Sequence, residues 1–189
     1  MKKPYIIGIA GGSASGKSTF SNWLENTLSG LDLQVFHMDS YFKPAEVRPK
    51  AAAPITGKVY LDDNCPETIF HEKLREDLAQ AVAAGHDVIL VEGLYALWYD
   101  WLYAQLDLKL FIDCQADERI VRRLKRNMTQ WGLQFDEIAA VYLDMVRYRH
   151  QQYIEPTKWR ADFILNGSSP SQLAGQMLAE HIRSQVTTD

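Results

Sequence analysis

The stretch Gly11-Gly12-Ser13-Ala14-Ser15-Gly16-Lys17-Ser18 constrains the fold more than any other part of this chain. It follows a continuous apolar run, Tyr5 to Ala10, and opens a segment with amphipathic helical spacing from Lys17 to about Leu28. An unbroken apolar run of strand length predicts a strand buried on both faces. A glycine-rich turn between such a strand and a helix matches the G-x-x-x-x-G-K-[ST] phosphate loop. Glycines let the backbone curl until successive N–H groups point at phosphate oxygens, and the helix N-terminus adds a favourable dipole. Lys17 brings a full charge to the β- and γ-phosphates, and the Ser18 hydroxyl suits magnesium. Gly11, Gly12, Ser13, Ala14, Ser15, Gly16, Lys17, Ser18 and Thr19 are therefore the expected contacts of ATP.

Further strands are predicted at Gln34 to Met38, Val88 to Val91, Leu108 to Ile112 and Phe163 to Leu165. Helices are predicted over Glu67 to Ala84, Ala116 to Met128, Phe135 to Gln152 and from about Ser171. This alternation predicts an α/β protein: a three-layer P-loop NTPase fold around a five-stranded, mainly parallel sheet, with ligands at the carboxyl ends of the strands. A length of 189 residues suits one domain, residues 1–189. Lys43 to Leu61, with Pro44, Pro49, Pro54 and Gly57, has neither helical nor strand period. Long loops in compact domains often serve function, so about 43–63 reads as a substrate-side loop.

Charge and composition narrow the partners. A net charge of −4 argues against nucleic acid, whose backbone calls for a dominant basic surface. No apolar run approaches the roughly 20 residues of a membrane span, and Met1 to Ala10 reads as a first strand rather than a signal peptide. The two cysteines, Cys65 and Cys114, lack metal-ligand spacing with histidine, so free thiols in a reducing cytoplasm are expected.

Two acids are expected beside the phosphate loop. Asp39 follows the second strand and Glu92 closes the third, which puts both on the ligand edge of the sheet. A carboxylate at Asp39 can take a hydroxyl proton, and one at Glu92 can hold magnesium or its waters. Arg119, Arg122, Arg123 and Arg126 recur at i, i+3, i+4 and i+7 on one helix face. Such a face repels itself unless an anion meets it, and phosphoryl transfer needs cations on the group in flight. Arg123 and Arg126 are thus expected in a lid, about 119–135, closing over ATP with Lys17 beneath. The resulting reading is a kinase acting on a hydroxyl of a small metabolite. A nucleotide-binding regulator signalling through its surface is the alternative of another class.

Together with Asp39-Ser40-Tyr41-Phe42, Glu92-Gly93, Leu110-Phe111-Ile112-Asp113 and Pro156-Thr157-Lys158 with Ala161-Asp162, these motifs resemble the uridine kinase and phosphoribulokinase family over nearly the whole chain. The resemblance implies Asp39 as general base, Ser18 and Glu92 as the magnesium site, and Asn166 to Ser169 beside adenine. It also implies a sugar-binding aspartate at Asp62 or Asp63, with Tyr41 on the substrate side; family members often form homo-oligomers. Departures concern the acceptor. The base-contacting hairpin of uridine kinases has no room, since Ala84-Gly85-His86-Asp87 leads straight into Val88. Trp131 and Leu133 flank Gly132 where the family has arginines, and Val141 replaces a glutamine. Asp39 to Pro44 and Tyr142 to Arg149 resemble nicotinamide riboside kinases, which keeps another riboside open as acceptor. Lys43, Arg48, Lys50 and Lys58 keep an anionic sugar or small acid open.

Overall fold

Strand β1 (Tyr5–Gly11) sends alternate side chains to opposite faces of a sheet, and both faces are covered. Ile6 and Ala10 enter one core while Ile7 and Ile9 enter the other, so the segment reads as a continuous apolar run. The computed structural model describes residues 3–186; Met1 and Lys2, at the start of the expected first strand, and residues 187–189 lie outside the described residues. Strands β2 (Leu33–His37), β5 (Val88–Glu92), β6 (Leu108–Asp113) and β7 (Phe163–Asn166) complete a five-stranded sheet of order β2-β5-β1-β6-β7. Every pairing in it is parallel. The phosphate loop therefore leaves the middle of the sheet edge, with neighbours on both sides.

Helices α1 (Lys17–Thr27) and α7 (Gln172–Val186) cover one face through Leu24, Leu178 and Ile182. Helix α2 (His71–Ala84) and the segment containing α3 (Asp100–Tyr103) cover the other through Leu74, Leu78, Leu97 and Leu102. Burying each such side chain contributes about 1.5–3 kcal/mol. Helix α4 (Ala116–Trp131) runs one turn past the expected end at Met128, up to Gly132. Cys65 and Cys114 are buried and free. Among the described residues no helix is long and apolar enough to cross a membrane.

Other expectations need correction. The stretch expected as a loop contains an antiparallel hairpin, β3 (Lys50–Ala52) with β4 (Val59–Leu61). Strands of three residues are too short to show a period. Helix α2 begins at His71 rather than Glu67, because Pro66–Thr68 forms a separate 3₁₀ turn and Ile69 bridges extended to Phe42. The expected regular helix from Phe135 to Gln152 is α5 (Phe135–Val141), a π turn (Tyr142–Val146), α6 (Arg147–Arg149) and a second π turn (His150–Ile154). Apolar spacing over five residues does not separate α from π turns, which concentrate at functional sites.

The loop after β7 meets the phosphate loop at Gly167. A Cβ there would lie 2.1 Å from the Ser15 carbonyl oxygen and 3.0 Å from that of Asp113. The Gly167 N–H donates to the Asp113 carbonyl at 2.6 Å, and Arg122 donates to the Gly167 carbonyl at 3.0 Å. Gly167→Ala must therefore push the phosphate loop aside. Urea denaturation should show a loss of about 1–3 kcal/mol, with weaker nucleotide binding; wild-type stability and affinity would refute this contact.

Candidate active site

The phosphate loop is held in an unusual backbone shape. Gly16 caps α1 with φ 100°, and Ala14, a residue with a Cβ, has φ 63°, a conformation costing about 1–2 kcal/mol. Ser15 N–H donating to the Gly12 carbonyl at 3.1 Å closes the turn. Ser15 Oγ is buried and has no hydrogen-bond partner among the described residues.

At the loop's base a buried carboxylate gathers three groups. Glu92 Oε1 accepts from Ser18 Oγ at 3.0 Å and lies 3.7 Å from Lys17 Nζ. Its Oε2 lies 3.1 Å from His37 Nδ1. The register explains the meeting, since Glu92 pairs with Ile9 of β1 and with His37 of β2. His37 had no assigned role in the sequence; its signal was its place opposite Glu92.

Above the loop lie the arginines of α4. Arg119 packs so closely that a Cβ on Gly12 would lie 2.6 Å from its Nη1, and its Nε donates to the Cys114 carbonyl at 3.0 Å. Arg122 pairs with Glu118 and faces the Ala14 carbonyl at 3.5 Å. Arg123 and Arg126 both donate to Ser13 Oγ, at 3.1 and 3.3 Å. Burial, then the neighbouring Arg126 charge, bring the Arg123 guanidinium down to about 10, so it stays charged at neutral pH. A concentration of cations around one backbone loop suits a polyanion.

Asp39 is exposed in a 3₁₀ turn (Met38–Tyr41) directly after β2. Burial lowers the pKa of Arg126 and the Asp39 charge opposes that shift, so Asp39 lies within electrostatic range of the group that reaches Ser13. Tyr41 donates its hydroxyl to Asp77 of α2 at 2.9 Å; burial, then this bond, raise its pKa. That hydroxyl is committed to α2. Asp62 and Asp63 diverge. Asp62 is buried with Oδ2 at 2.7 Å from Arg149 Nε, whereas Asp63 is half-buried and accepts from Arg48 at 2.6 Å. Asn64, which carried no recognisable sequence signal, lines a small cavity with Ser13, Arg119, Arg123, Leu94, Tyr142 and Val146. Thr56 and Tyr60 of the hairpin each donate to Asp144 at 2.9 Å, fastening β3–β4 to the π turn.

A larger cleft of about 730 Å³ opens on the β6–β7 side, lined by Asp113, Cys114, Arg119, His150, Glu155, Asn166 and Ser168 among others. Thr19 continues α1 with an exposed side chain. Among the described residues no three of His, Cys, Asp and Glu cluster to hold a metal. Magnesium in such sites takes one or two carboxylates and fills its shell from phosphate and water, so Ser18 with Glu92 is a sufficient donor pair.

The model of the phosphoribulokinase / uridine kinase family matches residues 62–174. The chain belongs to that family. A uridine kinase of Staphylococcus aureus strain JH9 is 34% identical over 212 residues, covering 99% of each chain. One of Deinococcus deserti is 31% identical over 203 residues, covering 97% of this chain and 98% of the relative. Phosphoribulokinase from Rhodobacter spheroides shares the fold, with a TM-score of 0.65 at 14% identity over 90% of this chain and 74% of the other. The protein is thus a P-loop kinase that phosphorylates a small metabolite.

His150 touches this kinase site from the second π turn, its Cε1 3.0 Å from where a Gly12 Cβ would stand and its Nε2 3.0 Å from Glu155 Oε2. Burial, then Arg119, lower its pKa against the pull of Glu155. The unfolded chain, whose imidazole titrates near about 6.5, therefore binds this proton more readily than the folded one. Stability linked to neutral His150 is present above that pH and is lost as pH falls through about 6.5. The drop in melting temperature from pH 7.5 to pH 5.5 should be smaller in His150→Gln than in wild type. Equal drops would refute the linkage.

Proposed function

We propose that this kinase moves the γ-phosphoryl group of ATP to a hydroxyl of a riboside, with Asp39 as general base. The observation that carries this reading is the approach of Arg123 and Arg126 to Ser13 while the Asp39 charge acts on the same Arg126. The phosphates lie in the curl from Gly11 to Ser18 with Lys17 at the β- and γ-positions, and adenine takes the cleft beside Asn166 to Ser168. Asp39 accepts the proton of the acceptor hydroxyl as its oxygen attacks the γ-phosphorus. The bond to the β–γ bridging oxygen breaks, and ADP leaves with the electron pair. Arg123 and Arg126 meet the charge spreading over the transferring oxygens. Ser18 and Glu92 would hold magnesium, which neutralises phosphate charge when bound.

The relatives named uridine kinase favour a riboside. A pyrimidine-specific contact is not supported, because α2 ends at Ala84, Gly85 caps it, and β5 begins at Val88 with no hairpin between. The cavity beside Ser13 and Asn64 has room for about one water molecule. An acceptor therefore enters when the α4–α5 lid or the Asp144 fastening opens.

The test is ADP release from magnesium-ATP with uridine, nicotinamide riboside, sugars and small acids. One or more ribosides should raise release above the rate with water alone. Asp39→Asn should lower that acceptor-dependent rate by about 100-fold or more, with ATP affinity retained. An unchanged rate in the variant would remove Asp39 from the chemistry.

A further inference from the structure

Resting on the assignment of Arg126 to the transferring phosphoryl group, we infer that Trp131 is a positioning residue for that transfer. Its indole ring carries the Arg126 guanidinium and holds it over the phosphate loop.

The four arginines of α4 are held in different ways. Arg122 is matched by Glu118, and Arg119 is buried with its Nε on the Cys114 carbonyl. Arg123 reaches Ser13 from a more deeply buried position than Arg126 does. Arg126 is half-buried, and among the described residues it is in no ion pair. Three contacts hold it. Its Nε donates to Asn127 Oδ1 at 3.2 Å, its Nη2 donates to Ser13 Oγ at 3.3 Å, and its guanidinium carbon lies over the Trp131 ring, 5.2 Å from the centre. A cation within about 6 Å of an aromatic centre is attracted by the negative face of the ring, and indole attracts most strongly.

Core packing does not account for the ring. Trp131 is 60% exposed, so burial gives little reason for so large a side chain at the end of α4. The backbone explains how it reaches Arg126. Trp131 is the last residue of the helix, and helical side chains lean toward the N-terminus. Gly132, with φ 66°, turns the chain there, and its N–H donates to the Asn127 carbonyl. The Leu133 N–H reaches the same carbonyl at 3.4 Å. This turn, closed on the buried Asn127, sets the ring beside the preceding residue, Arg126. Trp159, also exposed, lies beside Lys158, but that ammonium is paired with Asp113.

An aromatic face does here what a carboxylate could not. A carboxylate would order the guanidinium but offset the charge that the transferring oxygens need, whereas the ring orders it and leaves that charge whole. Charges set before the reaction need no reorganisation as negative charge spreads over the group in flight. Without the ring, Arg126 regains the rotamer freedom of a long side chain and must be ordered again in each turnover. The effect therefore falls on the transfer step, and the phosphate loop still binds the nucleotide.

Steady-state kinetics test this with magnesium-ATP and uridine, nicotinamide riboside or fructose, whichever gives the greatest ADP release. Trp131→Leu should lower kcat about threefold to fivefold, with the KM values for ATP and acceptor within about twofold of wild type. Trp131→Phe, which keeps an aromatic face, should recover part of that loss. In an Arg126→Gln background, Trp131→Leu should lower kcat no further, because the ring then has no cation to hold. An unchanged kcat in Trp131→Leu, beside a slow Arg126→Gln, overturns the inference and leaves Arg126 in the mechanism. So does a loss carried by KM for ATP, a Trp131→Phe as slow as Trp131→Leu, or a full further loss in the Arg126→Gln background. An Arg126→Gln enzyme as fast as wild type overturns the assignment of Arg126 and this inference with it. A wild type that releases no ADP with any of the three compounds overturns the riboside reading and this inference together.

Discussion

Glu92 ends a central strand with its carboxylate buried, and the site is arranged around how that charge is satisfied. Lys17 and Ser18 approach one oxygen and His37 the other, so β5, β2 and the start of α1 are tied at the sheet edge. A buried carboxylate needs such partners, and removing one leaves charge uncompensated. The parallel register makes this possible, because it brings the ends of adjacent strands level. A phosphate loop leaving β1 between them then has a fixed floor.

The roof is built from the opposite charge. Arg119, Arg122, Arg123 and Arg126 descend from α4 onto the residues from Gly12 to Ala14, and among the described residues only Arg122 of the four is in an ion pair, with Glu118. Positive charge above a curl of backbone N–H groups is an arrangement that a polyphosphate satisfies and that little else in a small protein would. Beside this floor and roof, the hairpin is fastened to Asp144 and Asp62 is paired with Arg149.

What could be read from residues alone follows the range of the forces involved. Strands β1 and β5 were legible because burial on both faces leaves a continuous apolar run, and the phosphate loop because its chemistry needs a fixed spacing. Helix α4 was legible through its arginines, whose common face the fold turns onto the loop. The hairpin was not, since β3 and β4 are three residues each and mostly exposed. Asp62, Asp63 and Asn64 could not be told apart locally. Arg149, far along the chain, draws Asp62 inward, Arg48 holds Asp63 outward, and Asn64 is left on the cavity. Tyr41 illustrates the same limit: beside Asp39 it suggests a substrate contact, but Asp77 of α2 engages its hydroxyl.

A crystal structure with magnesium and a non-hydrolysable ATP analogue measures the central geometry directly. The account requires the terminal phosphate in the curl from Gly11 to Ser18, with an Asp39 oxygen about 6 Å from its phosphorus, the span of one attacking oxygen and its hydrogen bond. Finding Asp39 turned away from that phosphate, or the gap between them filled by protein side chains with the nucleotide bound, would contradict it.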